Sequence, residues 1–123
     1  MGRTDFERLE GYQLAEAISD AVWTVVRGWP RFERSTIGRQ LVRSADSVGA
    51  NITEGVGQGT TGANKRYVRI ARGSLYETKH WLRRTYQRRL LTPEEVDRLR
   101  PLMDELAPRL NAYLNSIGRL KDG

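Results

Sequence analysis

The sequence predicts an all-α protein built as an antiparallel up-and-down four-helix bundle. Three observations point there. Apolar residues recur at helical spacing in four long segments. None of the four prolines falls between Arg31 and Leu91. Strand-like alternation of apolar and polar residues is scarce. With 123 residues, short connections and no repeat or low-complexity tail, the chain reads as one domain, 1–123.

The first segment runs from about Phe6 to Trp29, with Phe6, Leu9, Ile18, Val22, Val25 and Trp29 on one face. Pro30 ends it, because the residue before a proline is pushed out of helical dihedrals. The second runs from about Arg39 to Gly55 along a narrow stripe of Leu41, Ala45, Val48 and Ile52. Gly38 is its expected N-cap and Ile37 a staple. The flanks Ser44, Ser47, Gly49 and Ala50 are small, so a neighbouring helix can approach closely. The third runs from about Gly62 to Arg89, with Val68, Ala71, Leu75, Thr78 and Leu82 as its seam and Thr60 or Thr61 as its cap. The fourth opens on Thr92-Pro93-Glu94-Glu95, which combines a threonine cap, a proline at the first helical position and a glutamate at the third. Its apolar face is Val96, Leu99, Met103, Leu106, Leu110, Tyr113, Ile117 and Leu120. Pro101 and Pro108 are expected to kink or open it locally, and Gly118 and Gly123 to fray its end.

Composition narrows the function. Cysteine is absent, which excludes disulfides and thiolate metal sites. No run approaches the roughly 20 apolar residues that span a bilayer. The opening residues, with Asp5, Glu7 and Glu10, do not read as a signal peptide, and a cytoplasmic location is expected. Twenty-one basic residues face fifteen acidic ones, a net charge of +6, with a pI near 10.2. All the basic residues but Lys65, Lys79 and Lys121 are arginine, the side chain suited to planar, bidentate contact with phosphate or carboxylate.

The stretch Gly57-Gln-Gly59-Thr-Thr-Gly62 spells G-x-G-x-x-G, but a dinucleotide fingerprint needs a strand before it and a βαβ unit around it. Here an amphipathic helix precedes it. A phosphate-binding P-loop needs Gly-Lys-Ser/Thr, whereas Gly62 is followed by Ala63-Asn64. The stretch is therefore a helix hairpin, with Gly55, Gly57 and Gly59 stopping one helix where left-handed dihedrals cost glycine little. The following helix start, with Lys65 and Arg66, remains able to attract a backbone phosphate.

The run QLVRSADSVGANITEGVGQG, followed by RYVRIARGSLYET, resembles the four-helix-bundle proteins encoded in intervening sequences of bacterial 23S ribosomal RNA genes. The family's first motif falls on Gln40, Leu41, Arg43, Ala45, Ser47, Val48, Asn51, Ile52, Glu54 and Gly55. Its second falls on Ile70, Ala71, Gly73, Ser74, Leu75 and Glu77. The match is specific over residues 40–77 and collinear elsewhere. The resemblance implies an up-down bundle in a ring-like homopentamer. It also implies kinship with the accessory protein of diversity-generating retroelements, a basic pentamer that binds a reverse transcriptase and nucleic acid. The sequence departs from the family where Gly49 replaces a common proline and Ala63 a common capping glutamate. The second departure is expected to loosen the start of the third helix.

Catalytic and metal readings are weak. Glu77-Thr-Lys-His80 is an E-x-x-H, the spacing used in di-iron bundles, but such sites need two of these motifs and two further carboxylates. His80 is the chain's one histidine and falls roughly 160° from the apolar seam at about 100° per residue. Glu54 and Glu77 lie off the seams and are expected to partner an arginine such as Arg43, since an unpaired buried carboxylate is costly. No enzyme activity, cofactor or metal is expected.

The third helix is more informative. Lys65, Arg69, Arg72, Lys79 and Arg83 fall within about 80° of arc, roughly 100° from the core seam. Tyr76 shares their sector and no acid does. The row covers about 27 Å at 1.5 Å per residue, with Arg84, Arg88 and Arg89 adding charge at its end. Ordinary solvated faces mix signs to gain i,i+4 pairs; a single-sign row suits a phosphate backbone, with tyrosine available for stacking. The expected nucleic-acid contacts are Lys65, Arg66, Arg69, Arg72, Tyr76, Lys79, Arg83 and Arg84. Arg43, Asn51, Glu54, Gly55, Ser74 and Glu77 are expected to be structural. Trp81, Ile70 and Tyr67 form a second apolar strip, read as a subunit contact, while Trp23 and Trp29 add bulk to the first helix. The expected function is a basic, homo-oligomeric scaffold for RNA or DNA. The alternative is a protein-interaction adaptor, such as an accessory subunit of a reverse transcriptase.

Overall fold

The computed structural model describes residue 6 and residues 9–118. Five α-helices follow one another: α1 (Glu10–Arg27), α2 (Arg31–Ser35), α3 (Ile37–Gly57), α4 (Thr61–Gln87) and α5 (Pro93–Ser116). The described residues contain no strand. The all-α class agrees with the sequence, but the described residues form five helices rather than four. The additional one, α2, is a polar five-residue turn with no buried side chain, so it carries no apolar period by which to recognise it.

The four long helices contact one another in the cyclic order α1, α3, α4, α5, while α2 lies against α3. Ile18 and Val22 from α1, Leu41, Val48 and Ile52 from α3, Leu75 from α4, and Leu106 and Leu110 from α5 meet at the centre with almost no exposure. These are the residues at helical spacing in the sequence. Burying each removes apolar surface worth about 1.5–3 kcal/mol from water.

Helix ends follow local chemistry. Leu9, the N-cap of α1, is extended and without a side-chain cap, so the helix starts at Glu10 rather than Phe6. Trp29 lies beyond its end but is buried, and its indole N–H donates to the Leu90 carbonyl at 3.1 Å. Gly38 is not the cap of α3. It sits inside the helix, where an added Cβ would come within 2.7 Å of Val26 Cγ1. Its missing side chain is what lets α3 close on α1.

Thr60 Oγ1 accepts from the Ala63 N–H at 3.2 Å, so α4 is capped without the glutamate and its start is not loosened. The expected capping box at Thr92 and Glu95 is present. Helix α5 runs unbroken through Pro101 and Pro108, contrary to the expected opening. Both prolines lie on its exposed side, where water can satisfy the carbonyls they leave unpaired. Ile117 is the C-cap and Gly118 turns away with φ +90. Leu120, Lys121 and Gly123 lie outside the described residues.

Only Gly59 of the hairpin glycines has a positive φ, +79. Gly57 ends α3, and Gly55 is buried inside it, facing Asn64 and Tyr67. Helix α4 ends in a Schellman motif. The Leu90 N–H donates to the Thr85 carbonyl, the Arg89 N–H to the Tyr86 carbonyl, and Arg89 takes φ 61.

Two outcomes are expected. In Gly55→Ala the new Cβ meets Asn64 Oδ1 at 2.6 Å and Tyr67 Cβ at 3.0 Å, so urea denaturation should show a net loss of about 1–2 kcal/mol from overpacking despite alanine's better helix propensity. Arg89→Gly should raise stability by a few tenths to about 1 kcal/mol, because relief of left-handed strain exceeds glycine's entropy in the unfolded chain.

Candidate nucleic-acid interface

The seam between α3 and α4 positions everything on α4. Small hydroxyl side chains line it. Thr78 Oγ1 donates to the Ser74 carbonyl at 2.8 Å and shares a hydrogen bond of 3.1 Å with buried Ser44 Oγ. Ser47 and Ser74 share a hydrogen bond of 3.0 Å, and Asn51 Nδ2 donates to Ser47 Oγ and to its carbonyl. At the rim, Arg43 forms an ion pair with Glu77 and donates to Gln40. Trp81 Nε1 also donates to Glu77, at 3.0 Å. These bonds lower the Glu77 pKa. The Trp81 indole is the largest cause and burial opposes it; the hydrogen bond and charge of Arg43 and the charge of His80 also lower it.

The expected structural residues are thus brought together, with one exception. Glu54 is exposed and accepts from Gln58 Nε2 at 2.8 Å, not from an arginine. The interhelical serine–threonine bonds are not legible in the sequence, which marks Ser44 and Ser47 only as small flanks, Ser74 as structural and Thr78 as part of an apolar seam.

The family model of the 23S rRNA-intervening sequence protein matches residues 7–112. The chain belongs to this family. Among solved structures it is similar to a crystal structure of a protein with unknown function from the S23 ribosomal protein family of Bacteroides thetaiotaomicron VPI-5482. That similarity has a TM-score of 0.78 at 18% sequence identity and covers 86% of this chain and 96% of the other. At that identity the likeness concerns the fold. No curated protein matches. In this member of the family, the two motifs lie on α3 and α4 and supply the seam just described.

The basic row lies on the α5 side of α4, away from that seam. Helix α4 is continuous, so Lys65, Arg69, Arg72, Tyr76, Lys79 and Arg83 share one face. Arg72 Nη1 donates to Asn111 Oδ1 on α5 at 3.0 Å, a neutral partner that fixes the guanidinium without cancelling its charge. Lys79 Nζ lies 5.9 Å from the Tyr76 ring centroid, and Tyr76 is 54% exposed. Among the described residues, none of these cations has a carboxylate within 4.0 Å; the three ion pairs found join Arg43 to Glu77 and Arg109 to Glu10 and Glu105. Lys79, Arg83 and Tyr86 overlook a groove of about 360 Å³ whose far wall includes Arg100 and Asp104 of α5. Arg100 was missed because it belongs to another helix.

Arg66 and Arg84 sit about 100° round the helix from the row, so they adjoin it without joining it. Arg66 lies over Tyr67, and Arg84 donates to Gln87. The second apolar strip is largely consumed inside the chain. Trp81 packs on the core and Tyr67 is half-buried beside Gly55, leaving Ile70 exposed. His80 stacks edge-on against Trp81. Among the described residues no group of His, Asp and Glu is placed to hold a metal, and no helix is long and apolar enough to cross a membrane.

The lowered Glu77 pKa sets a sign. A carboxylate with a depressed folded-state pKa contributes stability that is present above its ordinary value and lost as pH falls through the folded one. Thermal melts should therefore show Glu77→Gln less stable near neutrality, with the difference closing below the ordinary value of 4.5. The effect should stay at about 1 kcal/mol or less, because Arg43 and Glu77 are 55% and 37% exposed and solvent screens the pair.

Proposed function

We propose that this chain is a non-enzymatic scaffold, an up-and-down antiparallel four-helix bundle with one short extra helix. It assembles as a cytoplasmic homo-oligomer and binds nucleic acid through sequence-independent phosphate contacts along α4. The observation that carries this reading is the row Lys65, Arg69, Arg72, Lys79 and Arg83, cations without a carboxylate partner among the described residues. The row is straight because α4 is unbroken, and its span of about 27 Å matches several successive phosphates. Tyr76, exposed among them, offers a stacking face. Among the described residues none of these cations is paired with a carboxylate, although Asp104 stands across the groove from Lys79 and Arg83; an unpaired row attracts a polyanion, and affinity then comes from counterion release rather than base reading. The family resemblance supports a ring of five copies, in which repeated rows act through effective concentration.

The groove beside Arg83 favours a second reading. Its lining includes Leu82, Leu99 and Met103 as well as cations, which suits an acidic protein surface such as that of a reverse transcriptase. Pull-down with and without nuclease separates the two readings.

The triple variant Arg69→Glu, Lys79→Glu, Arg83→Glu should lose binding to RNA and DNA oligonucleotides while light scattering shows the wild-type oligomer mass. In the wild type, log affinity should fall linearly with log salt, with a slope of about −0.9 for each duplex phosphate neutralised. Affinity unaffected by salt and by the triple variant rejects the proposal.

A further inference from the structure

The opposite side of the molecule carries a different surface. A groove of about 600 Å³ opens where α1, α2 and α3 meet. Val26 and Val42 form its floor, and Trp23, 58% exposed, stands at its edge. Gly38 keeps it recessed, since a side chain there would have to pass Val26. Arg27, Arg34, Arg39 and Arg43 rim it, and no acid lines it. Arg43 is paired with Glu77. The other three have no carboxylate within 4.0 Å among the described residues.

We propose that this groove is a docking site for an acidic amphipathic helix of a partner protein. Charge complementarity names the occupant: the guanidinium groups of Arg27, Arg34 and Arg39 repel one another, and no carboxylate among the described residues pairs with them, so the missing component is anionic. The floor makes it apolar on one side as well. Valine side chains and the edge of one indole receive Leu, Ile or Phe. They are a poor match for a nucleotide strand, which needs a succession of stacking faces. Spacing makes it helical. Trp23 and Arg27 are four residues apart on α1, and Arg39 and Arg43 are four residues apart on α3, so the groove repeats its contacts at the spacing of about 6 Å with which a docked helix presents acids at i and i+4. Because the cyclic order of contacts places the α1–α3 side opposite the α4–α5 side, this site is independent of the nucleic-acid reading. Both can be occupied at once.

The test uses full-length protein and fluorescein-labelled amphipathic helices carrying Glu and Leu on opposite faces, read by fluorescence anisotropy. A Lys and Leu helix and an unlabelled single-stranded oligonucleotide serve as controls. The Glu and Leu helix should bind. Trp23→Ala and the double variant Arg34→Glu, Arg39→Glu should each weaken it by about tenfold or more, with unchanged circular dichroism because all three side chains are exposed. Arg69→Glu with Lys79→Glu should leave it unchanged, and Trp23→Ala should leave oligonucleotide binding unchanged. The proposal is overturned by no binding of the Glu and Leu helix, by equal binding of the Lys and Leu helix, or by its displacement by the oligonucleotide. A loss of oligomer mass in Trp23→Ala overturns it too, by assigning the groove to contact between copies.

Discussion

The close approach of α3 and α4 is the constraint on which the rest of the molecule depends. It is made possible by what is missing from the side chains. Ser44, Ser47 and Gly55 leave room for a neighbouring backbone, and Ser74 and Thr78 meet them with hydroxyls. Each such bond contributes only about 1 kcal/mol net, yet a hydroxyl stranded without its partner costs about 1–3. The seam therefore tolerates one register of α4 against α3 and penalises its neighbours. That register decides which face of α4 is turned away.

A fixed register explains how a row of like charges survives. Lys65 with Arg69, and Lys79 with Arg83, stand four residues apart, where equal signs cost about 0.2–0.5 kcal/mol each. An isolated helix of this composition would be weakened. Here Val68, Ala71 and Leu75, fully buried on the other face, outweigh that cost several times over. The like charges are a burden that the fold carries without needing it, which is what separates them from the Arg43–Glu77 pair that helps hold α3 to α4.

Much of this was legible in the sequence because it depends on period and punctuation. The apolar stripes, the Thr92 capping box and the Thr60 cap are local patterns, and they stand where the pattern puts them. The short α2 was not legible, since a polar turn after a proline has no period. Gly38 looked like a cap because caps and close packing ask for the same residue, and only the position of Val26 separates them. The cationic face of α4 was readable from one helix alone. Its neutral anchor Asn111, its neighbour Arg100 and the arginine-rimmed groove were not, because each joins residues far apart in the chain. Trp81 was assigned to a contact between subunits for the same reason: its carboxylate partner is visible on a helical wheel, but the core it packs on comes from another helix.

The cyclic order of the four long helices has a geometric consequence. With axes 8–10 Å apart, the two outer surfaces of the body lie about 20 Å from each other once side chains are added. Whatever rests against the α4–α5 side and whatever rests against the α1–α3 side are therefore held at a set separation by the packed apolar core between them.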